Sequence, residues 1–107
     1  MTPTHSLSLA LAVCLSAIAM GAFAADDGLV IAKKNNCLAC HSVDHQVVGP
    51  AFKAVAAKYK GNSQAEKILM AKVKSGGQGV WGSMPMPAQS QLSDADLKTV
   101  VDWVLTR

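Results

Sequence analysis

Cys37-Leu38-Ala39-Cys40-His41 constrains this chain more than any other feature, because the polypeptide around it is short. Its 107 residues make one domain, and not all of them belong to it. Leu7 to Ala19 is almost wholly apolar and leads into Gly21-Ala22-Phe23-Ala24, a small-residue site of the kind a signal peptidase cuts. Before that run the only positive groups are the α-amino group and His5. It is too short to cross ~30 Å of hydrocarbon comfortably. Bulky Val13 ahead of Cys14 is wrong for a lipid anchor, so Cys14 leaves with the signal. Residues 1–24 therefore read as a removed signal peptide and 25–107 as the exported domain, with no stable membrane insertion afterwards. Two thiols remain, three positions apart. A disulfide between them would close too small a loop to constrain the unfolded chain, yet a domain this small needs a staple. A bound prosthetic group would provide the missing apolar area.

The spacing C-x-x-C-H is that of a c-type haem attachment site. Two thiols one tight turn apart can each add to a vinyl group of the porphyrin. The next residue then lies beneath the ring, where the imidazole of His41 reaches iron. Other chemistries use the same letters. A dithiol redox pair needs a βαβ context, and no such pattern is visible. Tetrahedral zinc needs a fourth ligand and a second Cys or His pair, and only His45 is spare. For a sixth ligand, Met84-Pro85-Met86-Pro87 offers two thioethers. Flanking prolines fix φ and hold such a sulfur in place, and thioether ligation stabilises ferrous iron. Spacing alone leaves Met84 and Met86 open. Met70, on a core-facing helical position, reads as packing.

The remaining pattern is helical throughout. Asp26 and Asp27 suit the positive end of a first helix running to about Asn35. Residues 42–50 read as a loop punctuated by Gly49-Pro50. Phe52, Val55, Ala56 and Tyr59 recur at helical spacing up to Gly61. Ser63 and Glu66 predict a capping box for a helix that carries Ile68, Leu69 and Val73 inward and stops at Gly76-Gly77. Residues 76–91 predict a long structured loop, of the kind that carries function in so small a domain. Ser93 caps a last helix with Leu97, Val100, Val101, Val104 and Leu105 on its apolar face and Trp103 packing on the first helix. No segment alternates as a strand. The predicted fold is all-α, about four helices wrapped around one covalently bound haem.

Cys37 to His41, Val48-Gly49-Pro50-Ala51-Phe52, the run from Gln78 to Pro87 and Trp103-Val104-Leu105 together resemble the class I c-type cytochromes. The likeness covers essentially residues 26–107. It is nearest the short, single-haem bacterial branch that donates electrons to periplasmic nitrite reductase or terminal oxidases. The resemblance implies one haem c held covalently by Cys37 and Cys40, with His41 as one axial ligand. The family's ligand methionine precedes proline, which puts Met86 in that role. By the same likeness, the Pro50 carbonyl accepts a hydrogen bond from the His41 ring, Trp81 donates to a haem propionate, and Lys72 stands where a basic propionate partner occurs. The family commonly continues Pro-Asn after Met-Pro, whereas this chain has Ala88-Gln89. His45 matches no family role.

These readings converge on a soluble periplasmic carrier of single electrons, not an enzyme and a monomer. The formal charge of +3 suits brief contact with an acidic redox protein such as a nitrite reductase, a terminal oxidase or a cytochrome bc complex. Lysines 33, 34, 53, 58, 60, 72 and 74 are available to ring the haem edge. With two Trp, one Tyr and two Phe, and no interleaving of lysines with aromatics, nothing suggests nucleic acid. The competing classes are a haem gas sensor or peroxidase-like protein with a labile sixth ligand, and a haem-free dithiol protein.

Overall fold

A computed structural model describes residue 3 and residues 24–107. Of the expected signal segment, residues 1–2 and 4–23 lie outside the described residues. Helix α1 spans Ala24–Lys34 and carries Lys33 and Lys34 in its last turn, where cations complement the helix dipole. Two asparagines stop it. The Asn35 side-chain amide donates to the Ile31 carbonyl at 2.9 Å, and Asn36 adopts φ 58°, the one non-glycine residue with positive φ among those described. Asn tolerates this left-handed conformation better than most side chains. The reversal sends the chain into a 3-10 turn at Cys37–Ala39.

Helix α2 spans Phe52–Tyr59 without a side-chain cap at its start. The loop before it does that work, since the Phe52 and Lys53 amides donate to the carbonyls of Ser42 and Val43 at 2.9 and 3.0 Å. Helix α3 spans Ala65–Ser75, and here the predicted capping box is not formed. The helix starts one position late for it, with Gln64 at the cap and no side-chain bond there. Asn62 Oδ1 instead accepts from the Gln64 amide at 2.9 Å, and the Glu66 carboxylate is taken by Lys98 at 2.8 Å.

Helix α3 ends at Gly76, φ 67°, as its glycines predict. The loop beyond contains a feature that periodicity did not indicate. Strands β1 (Gly77–Gly79) and β2 (Gly82–Met86) form a short antiparallel pair, Gly77 opposite Met86 and Gly79 opposite Gly82. Most of its side chains face out, so no alternation of apolar residues was needed to make it. Its tip, Val80-Trp81, turns between Gly79 and Gly82 at φ 109° and 117°.

Helix α4, Asp94–Leu105, begins as predicted: Ser93 Oγ accepts from the Asp96 amide at 3.1 Å. It packs on α1, α2 and α3 and is the centre of the fold. Trp103 lies against α1 at Gly28 and meets Phe52 edge-on, ring centroids 5.3 Å apart. Ala32, Phe52, Val55, Leu69, Val100, Val101 and Trp103 form one buried cluster, and Ala51, Ala65, Leu92 and Leu97 are buried beside it. Five of the seven in the cluster, all but Ala32 and Trp103, also line one cavity. The mostly helical architecture agrees with the expected four helices, with the small hairpin added.

Candidate haem site

The cavity opens between the Cys turn, helices α2, α3 and α4, and the β1–β2 hairpin. It is a broad, apolar cleft, partly open to solvent. Its floor is aliphatic and aromatic: Phe52 and Val55 from α2, Leu69 and Val73 from α3, Val100 and Val104 from α4. Cys37, Cys40, His41, Pro50, Lys72, Trp81, Met84 and Met86 all line it. Every site residue read from the sequence is therefore brought to one place.

Local structure explains how. The Cys37 carbonyl accepts from the amides of Cys40 and His41 at 3.3 and 3.0 Å, closing a single turn. Both thiols are free and half-buried on it. Burial pushes the Cys37 thiol above its usual pKa against a weaker lowering by a backbone hydrogen bond. Among the described residues, no three His, Cys, Asp or Glu side chains cluster as a metal-holding group, and His45 stands exposed, 3.4 Å from Ser42 Oγ.

The His41 ring is clamped on three sides. Its Nδ1 bonds the Pro50 carbonyl at 2.8 Å. It stacks on Phe52, with centroids 5.1 Å apart and planes within 20°. A Cβ at Gly49 would lie 2.5 Å from its Cε1, so only glycine fits there. The loop is fixed in turn by the Gly49 amide donating to the Cys40 carbonyl at 2.7 Å.

The methionine strand is pressed against α3. A Cβ at Gly76 would come within 2.4 Å of the Met86 carbonyl oxygen, and the Gln89 amide donates to the Val73 carbonyl at 2.9 Å. Met84 is 67% exposed, while Met86 is partly buried. Gln89, where the family has asparagine nearby, turns its side-chain amide to the Pro87 carbonyl at 3.2 Å. Trp81 sits at the mouth with Lys58 Nζ 5.5 Å from its ring centroid, and Lys72 Nζ lies 3.4 Å from a Cβ placed on Gly77. Met70 packs on the core and does not line the cavity.

Sequence reasoning gave Tyr59 no part in the site, and named Lys58 only as one of seven lysines available to ring the edge. Tyr59 lay on the apolar stripe of α2, but a stripe does not say whether its neighbour is protein or ligand. Lys58 carried no signal beyond its charge.

The residues present suit a haem: two thiols one turn apart, a clamped imidazole, thioethers carried on a strand, apolar walls and polar groups at the rim. Residues 25–107 match the family model for cytochrome c. The chain is 50% identical over 96 residues to cytochrome c-552 of Nitrosomonas europaea, an alignment spanning 81% of this chain and 93% of that relative. It is 46% identical over 90 residues to cytochrome c-551 of Pseudomonas aeruginosa, spanning 84% and 85%. The crystal structure of wild-type Nitrosomonas europaea cytochrome c552 superposes with a TM-score of 0.71 at 52% identity, covering 73% of this chain and 96% of that one. A class 1 cytochrome, MtoD of Sideroxydans lithotrophicus, superposes at 0.64 with 33% identity, over 76% of this chain and 92% of that one. The chain belongs to the cytochrome c family, as a small class I electron carrier with haem c bound covalently through its cysteine pair.

Proposed function

We propose that residues 25–107, freed of residues 1–24 on export, carry single electrons between respiratory proteins in the periplasm, with iron held by His41 and Met86. When bound, haem c supplies an iron that alternates between two oxidation states one electron apart. The chain's own task is to hold that iron still, shield it, and present it to partners.

One observation carries the ligand reading: the 2.8 Å bond between His41 Nδ1 and the Pro50 carbonyl, at the wall of the cavity that Met86 also lines. A carbonyl can only accept, so Nδ1 bears the proton and Nε2 keeps its lone pair for metal. Such a bond also raises ligand basicity and fixes the ring. Met86 is favoured over Met84 because it is the more enclosed and because its own carbonyl abuts Gly76 at the end of α3. Trp81 and Lys72, both at the cavity, supply an indole N–H and an ammonium for the acidic edge of the group.

Two of the seven lysines proposed to ring that edge are already engaged, Lys53 by Asp44 and Lys74 by Asp94. Lys72 lines the cavity and Lys58 lies over Trp81 at its rim. They suit an acidic redox protein, of which nitrite reductase, terminal oxidase and the cytochrome bc complex are the candidates. The monomeric state belongs to the same proposal. Carbon monoxide tests this reading against a sensor or peroxidase-like protein. The reduced protein at neutral pH is expected to keep its spectrum under the gas; a shifted absorption spectrum would mean an open or labile sixth position and would overturn it.

A further inference from the structure

We infer that Gln91 is a positioning residue that clasps the methionine segment to the cysteine segment and so governs how readily Met86 leaves its place; this rests on the ligand reading above. The two halves of the site come from opposite ends of the domain. The cysteine half follows directly from Asn35-Asn36 at the end of α1, and the methionine half ends at Met86-Pro87. Backbone contacts hold the methionine segment to the end of α3 at Gly76 and Val73 and to β1 at Gly77. None of those three ties reaches α1.

A chain of side-chain amides does. Gln91 Nε2 donates to Gln89 Oε1 at 2.8 Å and to Asn35 Oδ1 at 3.3 Å, across 56 positions of sequence. Each end is anchored on backbone. Asn35 Nδ2 donates to the Ile31 carbonyl at 2.9 Å, inside the last turn of α1. Gln89 Nε2 donates to the Pro87 carbonyl at 3.2 Å, one residue past Met86. The clasp therefore runs from the helix that delivers Cys37 to the residue that follows the sulfur.

Its chemistry has a direction. Both of Gln91's bonds are donated from one nitrogen into carbonyl oxygens, and its own carbonyl is not used in them. The side chain needed at 91 is thus a donor. Lysine, with three donors and no acceptor, satisfies the same two oxygens; glutamate, nearly the same shape but acceptor-only when ionised, does not. Residue 91 is exposed, so these changes leave the core intact.

The test follows displacement of the methionine by cyanide in the ferric holoprotein, with the far-red charge-transfer band of thioether-ligated haem as the signal. Gln91→Ala and Gln91→Glu are expected to speed cyanide binding by about three- to tenfold, the span for losing one ordinary neutral hydrogen bond, while Gln91→Lys stays within about twofold of the parent. A merely structural role for Gln91 would treat all three alike. Parental rates in the Ala and Glu variants would overturn the clasp, as would a Lys variant as fast as Ala. If the unsubstituted ferric protein lacks the band, the ligand reading falls first and the clasp with it. If the band is present and the variants are unchanged, only the clasp falls.

Discussion

Two glycines show how single residues set this site, and why composition would mislead about them. Gly28 sits inside α1, where alanine ordinarily adds about 1 kcal/mol of helix stability. Here a Cβ would lie 2.1 Å from Trp103 Cβ. Overpacking of that kind costs about 1–3 kcal/mol, so repulsion wins. Gly28→Ala is expected to lower the melting temperature of the holoprotein by several degrees; an unchanged or higher value would show that α1 and α4 separate freely. Asn36 poses the converse case. At φ 58° a β-branched side chain is strained and glycine is not. Denaturant titration should find Asn36→Val less stable by about 1–3 kcal/mol and Asn36→Gly equal or better. At this scale the cysteine pair was legible, because C-x-x-C-H names its own atoms, whereas Met-Pro-Met-Pro offered two sulfurs that spacing could not tell apart. Gly28 was not legible, since the reason for it lies across the core in Trp103.

At the scale of elements, the two predicted helix starts behaved differently for a local reason. Ser93 reaches the Asp96 amide, whereas Ser63 lies one residue outside its helix start and Asn62 supplies the turn. Equilibrium unfolding should therefore cost Ser93→Ala about 0.5–2 kcal/mol and leave Ser63→Ala unchanged. Lys98 joins α3 to α4 by bonding Glu66 and Asp102 at 2.8 and 2.7 Å. Hydrogen bonds to Asp102 and then Glu66 hold its ammonium charged well above the usual lysine range. A raised cationic pKa contributes stability in full below the unfolded value and loses it as pH climbs through the folded one. The stability difference between wild type and Lys98→Met should hence be small, constant across neutral pH and reduced by salt; a difference that grew with salt would contradict the ion pairing. Helix periodicity and caps located four of these elements. The hairpin escaped because glycine backbones make it, with its outward side chains carrying no pattern to read.

For the whole molecule, the core and the cofactor cavity share a wall. Phe52, Val55, Leu69, Val100 and Val101 belong to both. Ordering a residue costs about 1–2 kcal/mol of backbone entropy, and a core so small offsets little of it without a ring to pack on. The Cys37→Ala/Cys40→Ala protein lacking haem is expected to be largely unfolded by far-ultraviolet circular dichroism, and a cooperative melt would refute that dependence. Electron exchange with an acidic redox partner should slow as ionic strength rises, by the loss of steering from Lys58, Lys72 and their neighbours; a rate flat across salt would remove the electrostatic part of the proposal. The most direct measurement is the far-red absorption of two ferric variants, Met84→Ala and Met86→Ala. A band retained in Met84→Ala and lost in Met86→Ala is the predicted result. Loss in Met84→Ala with retention in Met86→Ala would contradict the ligand pair on which the proposed function depends.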